Sequence, residues 1–248
     1  MQVLSILATL AFIVVGAAVG IRLLLLGQKT GGLPERSVGL ALLLIGGIGY
    51  PLAVAAGTPG LVTPSKGVAM IAVATFVINV GFIGVVLFTW SVFRRQELWA
   101  RVLVVALGLA YAVHAVMTGL HALDMQSPSE LMKSSVGLTL WGQALNAVAF
   151  CWTAFEAYRY WWMLRKRTAI GLGDPVTTNR FLLWAIAATA SVCTNAISWW
   201  VVVQRIDFFE NPGIQASIGL VSVVSCTSQY LAFLPPKAYL ARLQRAAR

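Results

Sequence analysis

Charge is scarce in this sequence, and acid is scarcest: 18 basic and 8 acidic residues among 248, or 10% charged, against about a quarter in a water-soluble domain. With 59% apolar residues beside it, that scarcity excludes both a soluble globular enzyme and a disordered chain. Cysteine is equally sparse. Cys151, Cys193 and Cys226 stand singly in separate apolar runs with no CxxC pair, which excludes a disulfide scaffold and leaves small buried hydrophobes. There are two histidines, His114 and His121. Seven residues apart on one helix, they lie on one face about 10 Å apart, whereas a haem held by two histidines needs them on facing helices. A metal hydrolase would require about three converging ligands, and only Asp124 lies near them. The sequence therefore predicts neither a metal site nor catalytic residues. The formal net charge of +10 is not read as a nucleic-acid footprint, because basic residues in so apolar a chain mark loop sidedness first.

What the chain does have is long apolar runs. Windows of about 20 apolar residues predict seven transmembrane helices: Val3–Leu26, Val38–Ala56, Val68–Phe93, Val102–Leu123, Val136–Leu164, Phe181–Val203 and Ile214–Leu234. The first is too long in its apolar stretch for a signal peptide, no basic segment precedes it, and Arg22 ends it. Fifteen basic residues fall on one side of these spans, on the first, third and fifth loops and the tail up to Arg248. Only Lys66, Lys133 and Arg205 fall on the other. The positive-inside rule then places the amino terminus outside and the carboxyl terminus in the cytoplasm. The acids Asp124, Glu130, Asp207 and Glu210 fall on the outer side. The expected fold is all-α: a polytopic bundle of seven transmembrane helices over residues 1–234, followed by a short basic amphipathic tail helix at 235–248.

Local signals refine this. Gly16 and Gly20 make a small-xxx-small pair in the first span and Gly46, Gly47 and Gly49 precede Pro51 in the second, predicting close approach of the two helices, and Gly49-Tyr50-Pro51 predicts a hinge. Ser127-Pro-Ser-Glu130 reads as a capping box before a short outer turn or helix. Arg165-Lys-Arg-Thr-Ala-Ile-Gly-Leu-Gly-Asp-Pro predicts a fifth helix that runs to about Ile170 and stops at glycine. A sixth then restarts with Asp174 as cap and Pro175 in its first turn. The two would form a hairpin reaching into the cytosol. After Pro235-Pro236, Tyr239, Leu240 and Leu243 share one face of a helix suited to lie on the inner leaflet. Arg165, Lys166 and Arg167 would meet anionic lipid headgroups there.

Polar residues inside spans are costly and face the bundle or a wet cavity. Thr139, Gln143 and Asn146 share a face of the fifth span; Ser191, Thr194, Asn195 and Ser198 one of the sixth; Ser222, Ser225, Cys226 and Gln229 one of the seventh. Thr75 and Asn79 on the third, with His114, Thr118 and His121 on the fourth, extend the set. Two expectations stand side by side: an outward-facing polar pocket with Asn79, His114, His121, Gln143, Asn146, Asn195 and Ser222 as ligand-binding residues, or ordinary hydrogen-bonded glue between helices. Glu156, the acid well inside a span, is followed by Arg159 at i+3. That spacing reads as a local ion pair, or as a switch in which Glu156 changes partner to a basic residue on the third or sixth span, such as Arg180.

Length, seven spans and an outside amino terminus resemble a microbial rhodopsin, yet the last span carries no lysine for a retinal Schiff base. The Pro-Gln pair of seven-helix sugar exporters is also missing. Gly171-Leu-Gly-Asp-Pro-Val-Thr-Thr-Asn-Arg-Phe-Leu-Leu-Trp184 and Leu231-Ala-Phe-Leu-Pro-Pro-Lys-Ala-Tyr239 resemble signatures of uncharacterised bacterial seven-helix membrane proteins. That resemblance implies a bundle in the bacterial inner membrane and brings no activity with it. The leading expectation is a non-enzymatic sensor or receptor-like protein that takes a small ligand or apolar cofactor and signals through the hairpin, Glu156, Arg159, Asp174 and Arg180 included, to a protein partner. A small-molecule or ion transporter, and a structural subunit of a larger membrane complex, are the alternatives.

Overall fold

The computed structural model describes residues 2–58, 60–206 and 211–245. Asp207, Glu210 and Arg248, used above for sidedness, lie outside the described residues. Among the described residues the structure is helical with no strand. The helices are α1 (Gln2–Thr30), α2 (Leu33–Leu42), α3 (Tyr50–Gly57), α4 (Pro64–Phe93) and α5 (Leu98–Leu123), followed by α6 (Pro128–Ser134), α7 (Val136–Ala169), α8 (Pro175–Val203), α9 (Pro212–Phe233) and α10 (Lys237–Arg245). Proline occupies the first or second position of α2, α3, α4, α6, α8 and α9. Its missing N–H costs nothing there and its fixed φ suits the first turn.

Six helical stretches among the described residues are long and apolar enough to cross a membrane: Ile6–Thr30, Leu33–Gly57, Pro64–Phe93, Leu98–Leu123, Pro175–Val203 and Pro212–Phe233. The chain is an integral membrane protein of all-helical class. The expectation of seven such helices meets six, and the difference is α7. At 34 residues it is the longest helix, but Gln143, Asn146, Glu156 and Arg159 dilute its apolar character. It nonetheless packs inside the bundle, against α4, α5 and α8.

The second crossing joins α2 to α3 through a π-helical segment, Leu43–Gly49, ended by a bond from the Tyr50 N–H to the Ile45 carbonyl. Pro51 lacks the N–H that would continue the ladder, and the wider i to i+5 turn accommodates it. The irregularity expected at Gly49-Tyr50-Pro51 thus lies in the seven residues ending at Gly49. Glycine lets this segment touch its neighbours. A Cβ on Gly20 would sit 2.7 Å from the Leu43 nitrogen, and one on Gly46 3.2 Å from the Gly16 Cα. Two small-residue faces meet here backbone to backbone. A larger core lies between α4, α5 and α7, where Phe82, Val85, Val86, Tyr111, Ala149 and Trp152 are buried together.

The turns follow their sequence signals. Ser127 accepts a bond from the Glu130 N–H at 3.2 Å and caps α6. The α7 helix ends at Ala169, Gly171 takes φ +75°, and Asp174 caps α8. The amphipathic tail helix forms as expected, and its Tyr239 hydroxyl accepts a 2.7 Å bond from Asn179 on α8.

Replacing Gly20 with valine should destabilise the bundle by about 1–3 kcal/mol through overpacking against the Leu43 backbone. Gly108→Val, where nothing lies within 4 Å of the added carbon, should not. Unfolding midpoints of both variants in micelles check the contrast, and equal effects would remove close packing as the cause.

Candidate functional site

The polar interior is built on α4, α5 and α7. Asn79 of α4 is buried, and its Nδ2 donates to His114 Nδ1 at 2.9 Å while also reaching the Tyr111 carbonyl at 3.4 Å. An accepting Nδ1 places the ring proton on Nε2, which donates to the Leu138 carbonyl of α7 at 3.1 Å. The imidazole is therefore the neutral tautomer, tied to both neighbouring helices. Gly142 makes the approach feasible, since a Cβ there would stand 2.7 Å from Nε2. One turn along, the fully buried Tyr111 donates its hydroxyl proton to Asn146 Oδ1 at 3.2 Å. The Tyr111 ring stacks on Phe82 with centroids 5.6 Å apart.

Deeper along the same pair of helices, the buried hydroxyls of Thr89 and Thr153 meet at 2.7 Å. Each also lies within bonding distance of the carbonyl four residues back on its own helix, Val85 and Ala149 respectively. Three residues further on, Glu156 is only 2% exposed. Its Oε1 accepts from Arg94 Nε at 2.7 Å and its Oε2 from Arg159 at 3.4 Å. Arg94 is the residue that terminates α4, and its guanidinium also lies 5.5 Å over the Trp99 ring and 3.9 Å from Glu97. Thr89 and Arg94 on α4 therefore meet Thr153 and Glu156 on α7 in the same order. The two helices run parallel along one polar seam.

The seven residues expected to bind ligand do not converge. Asn79, His114 and Asn146 share this network. Gln143 is half-buried on α7, with its Oε1 buried and unpaired among the described residues. His121 reaches Ser134 of α6 at 2.9 Å, about two turns along α5 from His114. Asn195 bonds back to the Ser191 carbonyl of its own helix at 3.1 Å, and Ser222 is half-buried on α9. The deep amides and the imidazole are engaged with each other and with backbone, an arrangement that fastens helices and leaves little room beside His114.

Of the residues expected in the output path, Glu156 and Arg159 are paired as the i+3 spacing implies. The partner from the third crossing is Arg94, and Arg180 is exposed on α8. Asp174 accepts bonds from the Val176 and Thr177 amides and from the Thr177 hydroxyl at 2.6 Å. The Thr177 hydroxyl first, then these amides and the nearby Arg180 charge, hold its carboxyl below the ordinary aspartate range against the opposing effect of desolvation. Sequence reading missed Arg94, Thr89, Thr153 and Tyr111. The spacing of Asn146, Thr153 and Glu156 at seven and then three residues on one helical face was the available signal for Thr153. Among the described residues no three His, Cys, Asp or Glu side chains are placed to hold a metal ion. In comparisons with known proteins, no family model matches the chain, and no curated protein or solved structure matches it significantly.

The two arginines on Glu156 should differ sharply. Arg94→Ala leaves a buried carboxylate without its close partner and should cost about 3–5 kcal/mol. Arg159, whose side chain is 47% exposed, should cost under about 1 kcal/mol on the same change. Unfolding titrations in micelles measure both, and equal losses would place the neutralising charge elsewhere.

Proposed function

We propose that the chain is a seven-helix sensor or receptor-like membrane protein, with its amino terminus outside, that signals through the α7–α8 hairpin without enzymatic chemistry of its own. The observation carrying this reading is the polar seam between α4 and α7, which ends in the buried Arg94–Glu156 pair at the point where α4 stops and α7 continues. Because α7 runs parallel to a helix apolar enough to span, α7 supplies the seventh crossing. Protein groups satisfy its Asn146, Thr153 and Glu156 side chains in place of water. A ligand or apolar cofactor acting on the Asn79–His114–Asn146 network would bear on α4, α5 and α7 together. Anionic lipid surrounds the basic hairpin, and a protein partner of the bacterial inner membrane or cytosol receives its movement.

Sidedness is tested first. With the native cysteines replaced, Ser129→Cys should react with an impermeant thiol reagent on intact cells, and Ile170→Cys only after permeabilisation. The opposite pattern would invert the topology.

For signalling, spin labels at Ile170 and Arg101 of the full chain in nanodiscs should give a distance distribution that Glu156→Gln and His114→Ala each shift. If both variants fold and leave the distribution unchanged, the receptor reading fails and a structural subunit takes its place. The Arg94–Glu156 pair also favours the transporter alternative, because paired charge within spans is the mark of coupled transport. Proton uptake by proteoliposomes that Glu156→Gln abolishes would establish that reading instead.

A further inference from the structure

Away from the polar seam, a cleft of about 510 Å³ opens between the ends of α7 and α8 and the tail helix, lined among others by Trp161, Arg165, Thr168, Asn179, Leu182 and Leu243. Its charge is one-sided. Arg165 is exposed, and its guanidinium lies over the Trp161 and Trp162 rings at 5.5 and 5.9 Å. Cation–π attraction to the two rings places the guanidinium without using its N–H donors. No carboxylate or carbonyl among the described residues takes those donors. Between residues 157 and 206 the one acid is Asp174, and both its oxygens are engaged in the α8 cap.

The cleft also has a definite depth and an apolar wall. Tyr158, Trp161 and Trp162 form the aromatic belt expected at the headgroup level, and the apolar run of α8 begins at Phe181, just past Asn179 and Arg180. Trp161, Leu182 and Leu243 offer hydrocarbon contact that a free inorganic anion has no use for. The tail helix closes one side through the Asn179–Tyr239 bond. That bond uses one of the two Asn179 amide protons and leaves the other for an acceptor. The hydroxyls of Thr168 and Thr178, 2.9 Å apart, lock the two walls together.

We propose that this cleft binds one anionic phospholipid, its phosphate held by the Arg165 fork beside Asn179 and its glycerol and upper acyl chain lying against Trp161, Leu182 and Leu243. Arginine suits the task because it grips phosphate oxygens two at a time. The site makes the tail helix a lid over a bound lipid. It rests on the membrane setting of the chain and not on the receptor reading.

The experiment is native mass spectrometry of the full-length protein released from phosphatidylcholine nanodiscs doped with phosphatidylglycerol, counting phosphatidylglycerol molecules retained. The wild type should keep one. Arg165→Ala should lower retention more than about tenfold, through loss of a charge-assisted contact with the phosphate. Arg101→Ala, an equal change of charge on the same side of the bundle but outside the cleft, should lower it by no more than about fivefold, the diffuse attraction of one basic residue near a membrane surface. Arg165→Lys, which keeps charge but not the fork, and Tyr239→Phe, which frees the lid, should each fall between. They decide the matter if Arg165→Ala does not fold. Equal loss from Arg165→Ala and Arg101→Ala would overturn the proposal in favour of diffuse surface attraction. Displacement of the lipid by millimolar inorganic phosphate would overturn it in favour of a soluble anion.

Discussion

A carboxylate inside a membrane bundle must be neutralised by a partner that comes to it, and Glu156 meets that requirement with Arg94 at 2.7 Å. Removing either ion from water costs several kcal/mol, which their attraction offsets only in close geometry with the remaining lone pairs satisfied. Much of the interior arrangement follows. Arg94 sits at the end of α4, so α4 must stop level with Glu156, and α7 must run beside it in the same direction. Thr89 and Thr153 then fall opposite each other, while on α5 Asn79 meets His114 and the Tyr111 carbonyl and Asn146 meets the Tyr111 hydroxyl. Arg159, longer in contact and half in solvent, is an accessory.

The opposite flank of the bundle obeys a different rule. Between α1 and the second crossing there is little polar chemistry, and in lipid the hydrophobic effect does not draw apolar helices together. Approach of the backbones themselves is the remaining source of attraction, which is why glycines line both sides. The π-helical turn ahead of Pro51 belongs to the same economy. It places Gly46 against α1 and Gly49 against α4, within 2.5 Å of Ile78 for an added carbon, so that one irregular segment serves two interfaces.

Local features were legible in the sequence because local physics decides them. The Ser127 and Asp174 caps, the stop after Ala169 and the amphipathic tail each depend on residues within one or two turns, and each stands where its signal stood. Partner choice across helices was less legible. The Glu156–Arg159 spacing is visible along the chain, but the stronger bond to Arg94 spans 62 positions, and an arginine at a helix end reads as a sidedness marker. The same blindness scattered the expected binding residues. Helical periodicity correctly grouped Gln143 with Asn146 and Asn195 with Ser198, yet periodicity has no means of telling which face meets which helix. It therefore pooled Asn195 and Ser222 of α8 and α9 with a network that belongs to α4, α5 and α7. The count of apolar helices diverged at α7 for a related reason, since the polar groups that make α7 the hub of the seam are those that lower its hydropathy.

The hub position of α7 has a mechanical consequence. From Gln143 to Ala169 the helix contains neither glycine nor proline, so neither kink-forming residue interrupts it between the Tyr111–Asn146 contact and the hairpin turn. Beyond Glu156 it continues through thirteen residues, about 20 Å at 1.5 Å per residue, past the point where α4 has ended. Under the proposed receptor reading, a helix pinned by a buried ion pair would carry rotation or tilt at the pin to its far end, where Thr168 bonds to Thr178 of α8. The tail helix is joined to α8 through the Asn179–Tyr239 bond. The chemistry of the seam and the basic face of the hairpin are thus two ends of one rigid element, which is the physical reason for treating them as coupled.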